Sequence, residues 1–180
     1  MTTTLERFAT VAADFERRID SCPPDRWDSP SPCPPWTARE IVAHVIDGFD
    51  LVLASAGRPR GADRPEDLVD DWAQAKDAVV DAMSDPETAG RTVPSPMGDF
   101  AFKQVVGGVI LHDLLAHTWD LARATGQDET LDGDAVRSAL AKMTPFDDLL
   151  RGPGMFGPKV TPPPDADAQA QLLCFLGRQP

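Results

Sequence analysis

The amino-acid sequence predicts an all-α protein, a four-helix bundle with extra short helices toward its C-terminus. Three observations carry that expectation. Apolar residues recur at three- and four-residue steps in four long segments; Pro- and Gly-rich loops separate them; and almost no stretch alternates at the two-residue period of a strand. The 180 residues suffice for a substantial core, and a single domain over residues 1–180 is expected.

In chain order, Leu5, Phe8, Ala12, Phe15 and Ile19 define a first helix from about Thr4 to Ser21, ended by Cys22-Pro23-Pro24. A loop rich in Pro and Ser runs on to Trp36. Thr37 and, three residues later, Glu40 make a capping-box pattern, and the prolines before them stop any helix arriving from upstream. Ile41, Val45, Ile46, Phe49, Val52 and Leu53 then form the apolar stripe of a second helix reaching about Gly57. Leu68, Trp72, Ala75, Val79 and Met83 mark a third helix between Pro65 and Pro86. Arg91 to Asp99 is a turn-rich crossover with a short extended piece at Thr92-Val93. The fourth helix runs from about Phe102 to Thr125, where Gly126 supplies the residue that ends it. A shorter helix from Asp132 to Met143, an ordered loop from Arg151 to Pro164 and a last helix near Asp167 to Leu176 complete the chain.

Charge and leader patterns exclude several classes. The formal net charge is −12 and the isoelectric point about 4.5, which disfavours nucleic acid or an anionic membrane as partner. The start MTTTLERF lacks the basic and apolar regions of a secretory signal, and no apolar run approaches the roughly 18 residues of a membrane span. A cytoplasmic protein is expected. Cys22, Cys33 and Cys174 are odd in number and widely spaced, with no disulfide framework or C-x-x-C pattern. Cys33, just before the second helix, is read as a free thiol near the site described next. No nucleophile elbow, P-loop or dinucleotide fingerprint is present.

The chemistry lies in the histidines. Asp113 and His117, four residues apart on the fourth helix, share one face and can reach a common ion. Val106, Val109, Ile110, Ala116, Leu121 and Ala124 fall on the same side, so Asp113 is expected to point into an apolar core, a costly position unless paired or bound to a cation. His112 lies roughly 140° from His117 and is read as a rim residue outside the ligand set. The remaining histidine, His44, borders the apolar stripe of the second helix and supplies the third ligand of the expected set His44, Asp113, His117. Asp120, three residues past His117, is read either as a carboxylate that orients a ligand histidine or as an ion-pair partner of Arg123 or of an arginine on another helix. Trp36 and Trp119 are read as packing residues that are also placed to wall a pocket above the ion.

These residues carry a resemblance. The run Ser31-Pro32-Cys33-Pro34-Pro35-Trp36-Thr37 with Glu40 and His44, followed by Asp113-x-x-x-His117-x-Trp119-Asp120-Leu121-Ala122-Arg123-Ala124-Thr125-Gly126, resembles actinobacterial metal-binding proteins. These are related to the N-terminal domain of mycothiol-dependent maleylpyruvate isomerase, in the DinB-like superfamily. The Phe156-Gly157-Pro158 loop and the Leu172 to Arg178 ending are also similar. The resemblance implies a DinB-like bundle holding one divalent metal, usually zinc, on His44, Asp113 and His117. The isomerase has Glu where this chain has Asp113, and it carries a further C-terminal domain for which this chain leaves no room, so its own activity is not carried over.

Three protein ligands leave a coordination position open, as catalytic sites do. Zn, Ni, Fe or Mn would each suit the donors. A thiol entering there would be held as the thiolate, with mycothiol the co-substrate implied by the resemblance. That reading is a thiol-dependent S-transferase or isomerase acting on a small electrophile. Bound water would instead make a metal-dependent hydrolase; a non-catalytic binding or sensor module, and a metal-free hydrogen-bonded cluster of His44, Asp113 and His117, stay open beside both. The expected partners are a small-molecule thiol and an electrophilic substrate, with a homodimer left open.

Overall fold

The computed structural model describes residues 2–95, 97–151 and 156–180. Its chain forms two compact units, Met1–Glu129 and Thr130–Pro180. The fold is all-α and DinB-like, as expected, with one two-stranded sheet.

The first unit is built from α1 (Thr4–Asp20), α2 (Ala38–Ser55), α3 (Leu68–Ser84), the short α4 (Pro86–Gly90), strands β1 (Thr92–Val93) and β2 (Phe100–Ala101), then α5 (Phe102–Val105), a π turn (Val106–Ile110) and α6 (Leu111–Thr125). The last three run on as one helix. α1 neighbours α3 and α6, and α2 neighbours the same two, so the bundle is a square in which α1 faces α2 across a diagonal. The two long connections, 21–37 and 85–101, make the diagonal crossings. The expected extended piece at Thr92-Val93 exists because it pairs antiparallel with Phe100-Ala101.

Local chemistry sets the helix ends. Thr3 with Glu6 and Thr37 with Glu40 each close a reciprocal capping box, stabilising α1 and α2 by about 1 kcal/mol apiece. Asp67 caps α3, and Gly126 ends α6 in the left-handed conformation with φ of 75°. Inside, Phe8 meets Phe49 at 5.6 Å between ring centroids, and Trp72 packs on Phe15 at 4.8 Å and Phe49 at 5.5 Å. All four are buried, and each contributes about 1.5–3 kcal/mol by leaving water.

Two features lie outside the sequence reading. The π turn brings Gly107 against the start of α1, where a Cβ would stand 2.6 Å from Thr4 Cγ2. The loop after α2 is clamped by ion pairs. Arg60 bonds Asp50 and Asp71, with Nη1 2.8 Å from Asp71 Oδ1, and Arg64 Nη2 reaches Asp71 Oδ2 at 2.6 Å.

The second unit holds α7 (Gly133–Met143), a 3-10 turn (Thr144–Phe146), α8 (Asp147–Leu150) and α9 (Ala168–Phe175). α7 packs on α9, and the loop between α8 and α9 is tied down where Val160 N–H donates to the Cys174 carbonyl at 3.0 Å. Residues 152–155, part of the ordered loop expected over 151–164, lie outside the described residues. No helix among the described residues is long and apolar enough to cross a membrane.

Candidate metal centre

The capping box that starts α2 at Ala38 places His44 two turns along, on the side of α2 that faces α6. α6 contributes Asp113, His117 and Asp120, spaced so that each follows the last by about one turn. The structure brings the three expected ligands together. His117 Nε2 lies 3.4 Å from Asp113 Oδ1, and His44 Nε2 lies 3.6 Å from Asp113 Oδ2. The imidazoles meet edge to face with centroids 5.0 Å apart. One ligand atom from each residue falls within 4.8 Å of the other two.

Measured from the two oxygens of Asp113, the histidine distances are close to what a small divalent ion requires. Bonds of about 2.0–2.1 Å in tetrahedral geometry put neighbouring ligand atoms about 3.3–3.4 Å apart. The two nitrogens and one carboxylate suit a borderline ion such as zinc. His44, Asp113 and His117 could therefore hold such an ion with little movement. The site reaches the surface through two of its residues: the side chains of His44 and Asp113 remain 38% and 37% exposed, against 6% for His117.

The expectation that Asp113 points into the apolar core is corrected by this exposure. Val109 and Ile110, expected on the buried face beside it, are half-buried too, whereas Val106, Ala116 and Leu121 are buried. A carboxylate at the rim keeps part of its hydration, and the imidazoles of His44 and His117 beside it offset the desolvation that remains. His112 is half-buried and lies outside both this set and the second cluster of potential ligand atoms among the described residues, Cys33, His117 and Asp120.

Asp120 is wholly buried, and its Oδ2 lies 2.9 Å from His117 Nδ1. Of the two readings the sequence left open, the structure shows the first contact: Asp120 meets a histidine, while Arg123 pairs with Glu129 at 2.7 Å and lies over the Trp119 ring. With Nδ1 engaged, Nε2 is the nitrogen turned to Asp113. Trp119 is buried, a packing residue. Trp36 walls the site, its ring 4.4 Å from that of His44 and 5.9 Å from that of His117.

Charge follows from these contacts. Burial pushes the Asp113 carboxyl up, but bonds from His117 and His44 outweigh it and hold the group far below the usual carboxylate range. Burial pushes His117 down, and the bonds to Asp113, Asp120 and Cys33 override it, leaving the imidazole well above its ordinary value. Placed between Asp113 and Asp120, the metal-free imidazole of His117 thus favours its protonated form.

The sequence reading missed one participant. Cys33, read as a free thiol, donates to Asp120 Oδ2 at 3.2 Å. Its place beside Trp36 in the loop before His44 was the available signal; that the loop turns the thiol inward was not.

A square all-α bundle with a histidine–carboxylate cluster between its second and sixth helices defines a DinB-like domain. Residues 8–122 match the mycothiol maleylpyruvate isomerase N-terminal domain, and the chain belongs to that family. The matched stretch includes Cys33, Trp36, His44, Asp113, His117 and Asp120. Two uncharacterized proteins of Mycobacterium tuberculosis, one from strain CDC 1551 / Oshkosh and one from strain H37Rv, are each 33% identical over 157 residues, covering 86% of this chain and 86% of their own. No solved structure shows significant similarity to the chain.

Proposed function

We propose that the protein binds one divalent metal ion, zinc in the first instance, on His44, Asp113 and His117, and acts as a thiol-dependent S-transferase or isomerase on a small electrophile. The observation that carries this reading is the convergence of one ligand atom each from His44, Asp113 and His117 to within 4.8 Å of one another, at a site where His44 and Asp113 remain partly exposed. When bound, the ion would supply a Lewis acid that lowers a thiol's pKa and keeps it as the nucleophilic thiolate. The protein's own residues do the rest. Asp120 fixes the His117 ring so that Nε2 faces outward. Trp36 covers His44 and His117 on one flank and excludes water there. The half-exposed edge of His44 and Asp113 leaves the approach for thiol and electrophile.

Membership of the mycothiol isomerase family supports mycothiol as the thiol. A cytoplasmic setting, where small thiols are kept reduced, fits the same chemistry. The test is metal analysis of the purified protein followed by thiol addition to a haloarene or an activated alkene. The expected result is one divalent ion per chain and a metal-dependent rate, faster with mycothiol than with glutathione and lost in Asp113→Ala together with the ion. A stoichiometric ion with no turnover of any thiol would shift the assignment to a metal-dependent binding module.

A further inference from the structure

The loop from Pro30 to Thr37 is held by its own bonds before it touches the site. Pro30 and Thr37 bridge across its base, Ser31 N–H donates to the Trp36 carbonyl at 2.9 Å, and Trp36 N–H donates to the Cys33 carbonyl at 2.8 Å. Cys33 N–H is fixed by Ser31 Oγ at 3.1 Å. This scaffold delivers the Cys33 thiol to Asp120 Oδ2 at 3.2 Å, the same oxygen that accepts from His117 Nδ1 at 2.9 Å. Two donors, one from a loop before α2 and one from α6, thus converge on a single oxygen of a wholly buried carboxylate.

We infer that Cys33 is a positioning residue, which acts through Asp120 to fix the direction of His117 Nε2. The terminal torsion of an aspartate is broad, and a donor from a second, independent element narrows it further than the imidazole bond does. The thiol is a weak donor, but toward a buried carboxylate the bond is charge-assisted and stronger than a neutral one. The geometry also ties both faces of the site to one loop, since Trp36, three residues on, packs against His44 and His117. The inference deepens the metal-site reading above, and its first test does not need the ion.

In metal-free protein, the imidazole nitrogens and the Nδ1 proton of His117 are followed by NMR in wild type, Cys33→Ala, Cys33→Ser and Asp120→Asn. Asp120→Asn sets the scale of a lost carboxylate. Cys33→Ala is expected to shift or broaden the His117 signals in the same sense, and Cys33→Ser, which keeps a donor of similar size, to restore them. In a second arm, Co(II) titration should show Cys33→Ala weakening binding about fivefold with altered d–d bands, short of the 10–100-fold expected for a lost carboxylate partner, and Cys33→Ser close to wild type. Unchanged His117 signals in Cys33→Ala overturn the proposal, even if the melting temperature falls. So does a Cys33→Ser variant that behaves like Cys33→Ala, because packing rather than the donated bond would then be responsible. If wild type takes up no Co(II), the metal-site reading fails by itself and the His117 signals still decide the role of Cys33.

Discussion

His117 and Asp120 stand one turn apart on α6 with Nδ1 and Oδ2 separated by 2.9 Å, and this bond determines which imidazole nitrogen faces Asp113 and His44. A ring held at one nitrogen offers the other in a fixed direction, the arrangement a metal-binding histidine requires.

The first prediction follows from that direction. His117→Ala should abolish stoichiometric binding of a divalent ion, whereas His112→Ala should keep most of it, since His112 lies outside the clustered ligand atoms. Metal analysis after gel filtration of the two variants is the measurement. Equal loss in both would mean that the wrong face of α6 has been assigned.

A second prediction concerns protons. His117 is held well above its ordinary value in the metal-free protein, so below that raised value it must release a proton before Nε2 can bind an ion. Apparent affinity should therefore rise with pH, about tenfold per unit while one proton is displaced, and level off once the folded imidazole is neutral. The metal-free fold moves oppositely: the stability gained from the paired imidazolium is complete below the unfolded histidine value, about 6.5, and fades as pH rises through the folded one. Calorimetry in buffers of different ionisation enthalpy reads the released proton directly. Binding heats that do not depend on the buffer would rule this out.

Much of this site was legible in the sequence because its rules are local. The i, i+4 spacing put Asp113 and His117 on one helix face, and the Thr37–Glu40 capping box fixed the start of α2 and so the height of His44. Asp120 was recognisable by spacing alone, though its partner was not. The contact of Cys33 with Asp120 joins residues 87 apart through an irregular loop, and no periodicity foretells it. The depth of Asp113 was misjudged because a helical wheel tells which residues share a side and not how far that side is covered. Nor does the loop over residues 57–65 announce that its Arg60 and Arg64 fold back onto Asp71.

That clamp yields the third prediction. Asp71 is 3% exposed and accepts bonds from both guanidinium groups. Asp71→Ala removes the acceptor both guanidinium groups share, and it should cost about 1–3 kcal/mol of unfolding free energy, less than a fully buried pair because Arg60 keeps Asp50 and the part-exposed Arg64 keeps Asp47 and Asp50. Burial pushes the Asp71 carboxyl up, but the bonds from Arg64 and Arg60 prevail and its value falls below the ordinary one. Its contribution is thus fully present above the unfolded carboxylate value of about 3.9 and is lost as pH falls through the lower folded value. Urea titrations of wild type and variant should show a constant gap near neutrality that narrows below about pH 4. A gap that stays the same down to pH 3 would show that the carboxylate charge is not what stabilises the loop.

The last prediction separates two adjacent glycines in the π turn. In a helix, Gly→Ala ordinarily stabilises by about 0.5–1 kcal/mol, because alanine loses less backbone freedom on folding. At Gly108 a Cβ would meet nothing within 4 Å, so Gly108→Ala should raise the unfolding free energy by roughly that amount. At Gly107 the new Cβ would stand 2.6 Å from Thr4 Cγ2, closer than carbon atoms approach, so the Thr4 side chain or the turn that carries it must shift. Overpacking of this kind costs about 1–3 kcal/mol, more than the propensity gain, so Gly107→Ala should destabilise. Thr4→Ala removes the obstructing methyl, and the double variant Thr4→Ala, Gly107→Ala should recover most of the loss. Denaturant unfolding of the four proteins in a double-mutant cycle measures the coupling. If Gly107→Ala destabilises equally with and without the Thr4 methyl, the cost comes from the π turn itself and not from its contact with α1.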